Sequence, residues 1–351
     1  MINAITINNF RRFNNLSLET VTPIVLISGK NNIGKSSFLE SIYLSCRYFL
    51  PTVFIELNNF RGIYNASYTK KLLWEQLFRN FNLNDQIKIE TKFDNSVHSL
   101  TIKKNEDFTA KFKDNTENNV VFKFENDYVL DVSNITTEEN KFIGSYFVNN
   151  NNISLKTEGS TITNVQNIFL ISDKFLIYPN AIAEQFSAVE LAGKKDEIIS
   201  ILNHLNNKIN NIFLVMTNNI PTIYVSTTDN IQFPINSMGS GINKLFIIIL
   251  YAIANPNSII IIDELENGFY YSFFEQLWKV IFELTSRHKL QIIATTHSHE
   301  CIHGAVKICT KNNYYDIFTF LRLSFRENNI VPILFSEENL KFAIESNFEI
   351  R

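Results

Sequence analysis

The segment Gly29–Ser37 has the residue types of a phosphate-binding loop. It reads Gly-Lys-Asn-Asn-Ile-Gly-Lys-Ser-Ser and fits the pattern G-x-x-x-x-G-K-[ST]. In such a loop the backbone N–H groups between Gly29 and Gly34 point at phosphate oxygens, Lys35 neutralises their charge, and the Ser36 hydroxyl binds Mg²⁺. The residues expected to contact a bound nucleotide are Asn31, Asn32, Gly34, Lys35, Ser36 and Ser37.

Two acidic residues follow a run of four isoleucines, Ile259–Ile262. Such a run indicates a strand buried inside a parallel sheet, and ligands of α/β proteins bind beyond the carboxyl ends of these strands. We therefore expect Asp263 to bind Mg²⁺ together with Ser36, and Glu264 to polarise a water aimed at a γ-phosphate. The alternative is a strand that ends in a solvated acidic turn, which the phosphate loop makes the weaker interpretation.

Two further segments could contact the same phosphates. Ser237–Gly241 precedes an apolar helix, predicted over Ile242–Ala254, so that a hydroxyl, backbone N–H groups and the helix dipole would form a second anion site. The apolar segment Gln291–Thr296 ends at His297, which could reach a γ-phosphate or the attacking water. Taken singly, the first is better explained by a helix start and the second by a packed strand end. Their order along the chain favours the phosphate interpretation.

The elements that would position these residues indicate an α/β fold. The loop joins the apolar strand Ile24–Ser28 to a helix, and strands and helices alternate again around the later motifs. Between residues 86 and 165, polar and apolar residues alternate with turn clusters between them, which predicts antiparallel strands with one wet face. The predicted domains are a head of residues 1–50 and 165–351, with a helical lobe at about 180–255, and an insertion at 51–164.

Composition limits the class of protein. The 351 residues are 45% hydrophobic and 19% charged, which is typical of a globular chain, and a net charge of −3 creates no field that attracts nucleic acid. No apolar run is long enough to cross a bilayer, and the N-terminus is not that of a signal peptide. Three cysteines without metal-ligand spacing suit a reducing compartment. We therefore expect a cytoplasmic protein without a membrane partner.

In these motifs the chain resembles the ABC-type ATPases of the SMC and OLD branch. These are P-loop NTPases whose head has a mostly parallel sheet, an antiparallel side sheet and a helical signature lobe. Stand-alone bacterial "AAA family ATP-binding proteins" of this branch include AriA of the PARIS system and PtuA of the Septu system. The resemblance assigns Ser237 and Gly239 to the signature motif, Asp263 and Glu264 to Walker B, and His297 to the switch histidine.

The resemblance extends to both ends of the chain, with two departures. The opening strand Ile5–Phe13 carries Arg11, which the resemblance places near the nucleotide, and the ending Phe348–Arg351 is also similar. The signature motif lacks the double glycine and glutamine of transporter ATPases. No glutamine stands in Ser172–Lys174, where these ATPases have the residue that senses the metal.

The resemblance also implies a function. ATP and Mg²⁺ would join two copies head to tail, in a homodimer or higher homo-oligomer, and Lys35, Glu264 and His297 would support hydrolysis. Such an ATPase would be the sensor or regulator of an anti-phage defence system and would act on a separately encoded effector, such as a Toprim-type nuclease. Two alternatives remain open: a DNA-repair or recombination ATPase that binds DNA directly, and an ATP-dependent assembly module that does not hydrolyse.

Overall fold

The structure is a computed structural model that describes residues 1–63, 74–105, 109–113, 119–123, 129–137, 141–149, 152–157, 166–172, 179–203 and 208–345. Residues 173–174 of the expected metal-sensing segment and the ending 348–351 lie outside the described residues. The helices in chain order are α1 (Lys35–Arg47), α2 (Val53–Phe60), α3 (Pro179–Leu191), α4 (Lys195–Asn203), α5 (Ser240–Ala254), α6 (Phe274–His288), α7 (His299–Asn312) and α8 (Glu337–Glu345).

The strands in the described part of the chain form two large sheets and two small ones. In chain order they are β1 (Ile2–Phe10), β2 (Phe13–Leu18), β3 (Ile24–Gly29), β4 (Ile87–Phe93), β5 (Val97–Lys104), β6 (Thr109–Lys113), β7 (Asn119–Lys123), β8 (Val129–Thr136), β9 (Lys141–Asn149), β10 (Asn152–Thr157), β11 (Ile168–Ile171), β12 (Ile209–Thr217), β13 (Ile220–Thr227), β14 (Gln232–Pro234), β15 (Ile259–Ile262), β16 (Gln291–Thr295), β17 (Phe318–Arg326) and β18 (Asn329–Leu334).

The central sheet has the strand order β11-β15-β16-β3-β17-β18 and is parallel except for β18. Within β15, Ile259 and Ile261 pack on the face that carries α1, while Ile260 and Ile262 pack on the face that carries α5 and α6. Apolar cover on both faces explains why this strand is four isoleucines in a row. The mostly parallel α/β sheet predicted from the sequence is confirmed.

The side sheet has seven antiparallel strands in the order β10-β9-β8-β5-β4-β1-β2. Its buried side chains share one core with α1, α2 and one face of the central sheet, so that α1 lies between the two sheets. β1 pairs with both β2 and β4. Strands of the predicted insertion therefore extend a sheet that begins at the N-terminus, and the boundaries at 51 and 164 stay a prediction.

The predicted helical lobe, about 180–255, contains more than helices. After α3 and α4 the chain forms a three-stranded antiparallel sheet, β12-β13-β14, before it reaches α5. The structure therefore has strands as well as helices within this lobe, at residues 209–234, and the bounds of the lobe stay a prediction. The physical reason lies in β13, where Ile223 and Val225 are buried and their neighbours Thr222 and Tyr224 are more exposed, the period of a strand with one covered face.

Candidate nucleotide site

The phosphate loop follows β3 and turns sharply at two glycines. Gly29 has a φ of +140°, and a Cβ there would lie 2.7 Å from the backbone oxygen of Leu323 in the neighbouring β17. Gly34 has a φ of +110°, and a Cβ there would lie 3.1 Å from the ring of Phe13. Both positions need glycine, because the left-handed backbone and the lack of space each exclude a side chain. The loop thus keeps the shape of a phosphate cradle, with Asn31 and Asn32 exposed at its tip.

Lys35, the first residue of α1, points back into the loop. Its Nζ donates to the backbone oxygens of Gly29 at 2.8 Å and Lys30 at 3.1 Å, and it lies 3.3 Å from Nδ1 of His297. Burial lowers the pKa of Lys35 to about 8. Burial, and then the charge of Lys35, lower the pKa of His297, which favours the neutral imidazole. The predicted contact of His297 with a γ-phosphate or the attacking water stays a prediction, and the structure places this residue beside the loop lysine.

Asp263, at the carboxyl end of β15, links the loop to the next strand. Its Oδ2 accepts a hydrogen bond from the Ser36 hydroxyl at 2.8 Å, and its Oδ1 accepts one from the Thr295 hydroxyl at 2.5 Å. Thr295 is fully buried at the end of β16 and also accepts from the backbone N–H of Glu264 at 2.9 Å. Ser36 and Asp263 therefore present two neighbouring hard oxygen ligands, the kind that Mg²⁺ prefers.

Glu264 begins the turn after β15 in an uncommon conformation. Its φ of +50° places a non-glycine residue in the left-handed region, where strain gathers at functional sites. The side-chain amide of Asn267 donates to its Oε2 at 2.7 Å. Two residues after Glu264, Glu266 accepts from the backbone N–H of His297 at 2.5 Å, which connects this turn to the end of β16.

Arg11 and Arg61 both bind the buried carboxylate of Glu40. Arg11, predicted from the resemblance to lie near the nucleotide, is buried, and its Nε lies 2.5 Å from Oε2 of Glu40 in α1. The guanidinium of Arg61 binds both oxygens of Glu40 and also donates to the Ser37 hydroxyl at 3.2 Å. A role of Arg11 and Ser37 at the nucleotide itself stays a prediction.

Arg12 contacts the tip of the loop, because its guanidinium donates to the backbone oxygen of Asn32. It is exposed, unlike its neighbour Arg11. The sequence analysis made no prediction for Arg12. The left-handed φ of +52° at Arg11 interrupts the alternation of side-chain direction along the strand, so that the two neighbouring arginines have different surroundings.

The signature turn Ser237–Gly241 lies at the start of α5. Ser237, Gly239 and Ser240 are exposed, and a Cβ built on Gly239 would have nothing within 4 Å. Gly239 has a φ of +102°, which lets the chain leave a short 3₁₀ turn and enter the helix. The turn thus presents a hydroxyl and a helix N-terminus to the surface. The structure brings together the loop, the acidic pair and His297, and it leaves Ser237 and Gly239 open to solvent.

Two supporting residues were missed at the sequence level, Thr295 and Lys244. The available signal for Thr295 was its hydroxyl at the end of an apolar segment, the next strand along the chain after the one that ends in the acidic pair. Nothing in the sequence of α5 predicted that Lys244 is buried and binds the turn that follows β15.

Within the described ranges, no helix is long and apolar enough to cross a membrane. The same residues hold no cluster of three His, Cys, Asp or Glu side chains arranged to bind a metal.

Comparisons with known proteins agree with this geometry. A sequence profile described as "AAA domain, putative AbiEii toxin, Type IV TA system" matches residues 24–301, which include the loop, the signature turn, the acidic pair and His297. An "ATP/GTP phosphatase" of Helicobacter pylori is 25% identical over 385 aligned residues, covering 99% of this chain and 98% of that protein. The uncharacterized protein MJECL10 of Methanocaldococcus jannaschii is 32% identical over 115 residues, covering 32% of this chain and 51% of that protein.

Among solved structures, an SMC head bound to the C-winged helix domain of ScpA is similar over 96% of this chain and 98% of that chain. The TM-score is 0.50 and the sequence identity 12%, so the likeness concerns the fold alone. The fold is that of a P-loop NTPase of the SMC-head type. Because the family profile covers more than three-quarters of the sequence, the chain belongs to the ATPase family described as "AAA domain, putative AbiEii toxin, Type IV TA system".

Proposed function

We propose that the chain hydrolyses ATP in sites shared by two copies arranged head to tail, and that this cycle regulates a separately encoded effector in anti-phage defence. The observation that carries the proposal is the gathering of Lys35, Asp263, Glu264 and His297 at the carboxyl ends of adjacent strands. The exposed signature turn supports the shared site, because its anion-binding groups face solvent and are free to meet a second copy.

The residues present fit ATP with Mg²⁺. The two glycines give the loop the shape into which phosphate oxygens fit, and Lys35 lies at its centre. Ser36 and Asp263 would hold the metal, since their oxygens are already 2.8 Å apart. When bound, Mg²⁺ would offset the negative charge of the β- and γ-phosphates.

The acidic turn would supply the chemistry of hydrolysis. Glu264 would accept a proton from a water as the water oxygen bonds to the γ-phosphorus and the bond to the β-phosphate oxygen breaks. Neutral His297 could donate to a γ-phosphate oxygen, while Lys35 would neutralise the charge there. The amide of Asn267 orients the Glu264 carboxylate by its hydrogen bond.

ATP would act as a switch on subunit contact. In the dimer, Ser237 and the N–H groups around Gly239 of one copy would close on the nucleotide held by the other. These contacts exist only in the closed state, so ATP shifts the population toward it and hydrolysis releases it. The family description names a toxin–antitoxin system, which supports a second, separately encoded component such as a nuclease.

A Glu264→Gln variant tests the proposal directly. The substitution removes the proton acceptor and keeps the shape, so ATP binding should persist and turnover should fall by about 10²-fold or more. Light scattering after size exclusion should show a dimer of this variant with ATP and a monomer without it. The wild type should show a specific activity that rises with protein concentration. The control variant Glu275→Gln, on the exposed side of α6, should behave as the wild type.

Contrary results would separate the alternatives. A monomer with concentration-independent turnover would contradict the shared site. ATP-driven dimers of the wild type without turnover would identify an assembly module. Stimulation of the ATPase by DNA, with an affinity that falls steeply with salt, would identify a DNA-binding ATPase. Deleting the gene should raise phage sensitivity of the host, and unchanged sensitivity would contradict the defence role.

A further inference from the structure

The signature helix α5 is tied to the Walker B turn of its own subunit by a buried lysine. Lys244 lies about one turn beyond the signature glycine, is only 5% exposed, and donates from Nζ to the backbone oxygen of Glu264 at 2.6 Å. A buried ammonium is costly unless it is bound by oxygens. The contact therefore fixes Lys244 in place, and it fixes the carbonyl of a residue whose φ is +50°.

A second contact joins the same two elements one turn earlier. A Cβ built on Gly241 would lie 2.3 Å from the backbone oxygen of Gly268, and one built on Gly268 would lie 2.8 Å from the backbone nitrogen of Gly241. The first turn of α5 thus rests directly on the segment that follows Walker B, backbone against backbone. Because this contact joins backbone atoms, no flexible side chain can adjust here when the signature turn moves.

Glu264 is held by three different elements. Thr295 of β16 binds its N–H, and Asn267 of the same turn binds both its carboxylate and, through the backbone N–H at 3.1 Å, its carbonyl. Lys244 of the signature helix binds the same carbonyl at 2.6 Å. Of these contacts, only the one from Lys244 comes from the helix that begins at the exposed signature turn.

We propose that Lys244 is a positioning residue that makes the orientation of Glu264 depend on the position of the signature helix. This inference rests on the proposed function. In the head-to-tail dimer, the signature turn of one copy touches the nucleotide of the other. A shift of α5 on that contact moves Nζ of Lys244 and the Glu264 carbonyl with it. Each glutamate thereby responds to the occupancy of the opposite site, and a misplacement of about 1 Å can cost about 100-fold in rate.

The test compares Lys244→Met, Lys244→Arg and the control Lys279→Met, which removes an exposed lysine from α6. Lys244→Met should lower kcat by about 10- to 100-fold and leave the ATP dissociation constant within about twofold. In the nucleotide-free chain, hydrogen exchange of a peptide spanning 262–270 should be faster in Lys244→Met. Lys244→Arg, which keeps a donor, should restore part of kcat, and the control should match the wild type.

Three results would overturn the inference. One is a folded Lys244→Met variant with wild-type kcat and wild-type exchange in the Walker B turn. Another is a loss of ATP affinity and of thermal stability in step with kcat, which would make Lys244 a structural residue only. Both of these results leave the proposed function intact, because the wild type hydrolyses ATP in either case. A wild type that binds ATP without turnover overturns the proposed function and this inference together.

Discussion

At the scale of single residues, phosphate binding at the site depends on a lysine whose ammonium group is bound by backbone carbonyl oxygens. Lys35 binds two backbone oxygens of its own loop and lies beside His297, and burial lowers its pKa to about 8. A phosphate ligand would replace these neutral oxygens with charged ones and would raise the pKa again. Nucleotide binding and protonation of Lys35 are therefore linked.

The affinity for ATP should fall as the pH rises through about 8. Below this value the free loop already carries the charged lysine, whereas above it the lysine of the free loop is neutral and must take up a proton when ATP binds. Titration calorimetry at pH 8.5 in buffers of different ionisation enthalpy should detect that uptake. In Lys35→Arg, which stays charged, the remaining affinity should not change over this range. A wild-type affinity that is constant from pH 7 to 9.5 would contradict the linkage.

The buried carboxylate of Glu40 should be a major stabilising group. It is fully buried between Arg11, whose side chain is 4% exposed, and the bidentate Arg61. Glu40→Gln removes the charge that compensates the buried guanidinium, so we expect unfolding to require about 3–5 kcal/mol less in urea denaturation. The exposed pair Glu283–Arg287 is the matched control, and Glu283→Gln should cost less than about 1 kcal/mol. Equal effects of the two variants would refute this.

At the scale of elements, the site is made by strand ends that meet at one edge of the central sheet. The sequence predicted these strands because their apolar runs are local, and it predicted α5 to within two residues at its start. The strand order, which places β3 beside β16, could not be predicted, since it depends on pairing of residues far apart in the chain. The contacts of Lys244 and Arg12 were missed for the same reason, because no local pattern records which distant carbonyl a side chain reaches.

The close approach of α5 to the Walker B turn should not tolerate a methyl group. In Gly241→Ala the new Cβ would meet the backbone oxygen of Gly268, and backbone cannot rotate away as a side chain can. We expect the free energy of unfolding to fall by about 1–3 kcal/mol and turnover to fall with it. In the control Gly193→Ala the Cβ meets no atom within 4 Å, so that the φ of +68° can lower stability but turnover should be unchanged. Wild-type turnover of Gly241→Ala would show that the two elements separate freely.

At the scale of the whole molecule, each proposed site is completed by a second copy. Exposed Ser237 belongs to one half of such a site, and Lys35 belongs to the other half. Closed head-to-tail pairing of two such surfaces gives two equivalent sites per dimer. A variant in the signature turn should therefore impair hydrolysis of the nucleotide bound by the partner. A variant in the phosphate loop should impair hydrolysis of the nucleotide bound by the same chain.

Mixing two inactive variants should restore activity. In a mixed dimer of Lys35→Ala with Ser237→Arg, the second chain keeps its loop and the first keeps its signature turn, so one complete site remains. Equal amounts should recover up to about a quarter of the wild-type rate, since about half of the dimers are mixed. Each variant alone should stay inactive. A mixture that only equals the sum of its folded parents would exclude a shared site.

The position of β3 bears on how the protein is made. This strand carries the phosphate loop, yet its two neighbours, β16 and β17, are Gln291–Thr295 and Phe318–Arg326. About 290 residues separate the end of β3 from the start of β17. At a synthesis rate of about 5–20 residues per second, the two edges of β3 stay without both neighbouring strands for roughly 15–60 s. The nascent chain therefore exposes an apolar strand for that time, and chaperone binding at the ribosome should concentrate on Ile24–Gly29.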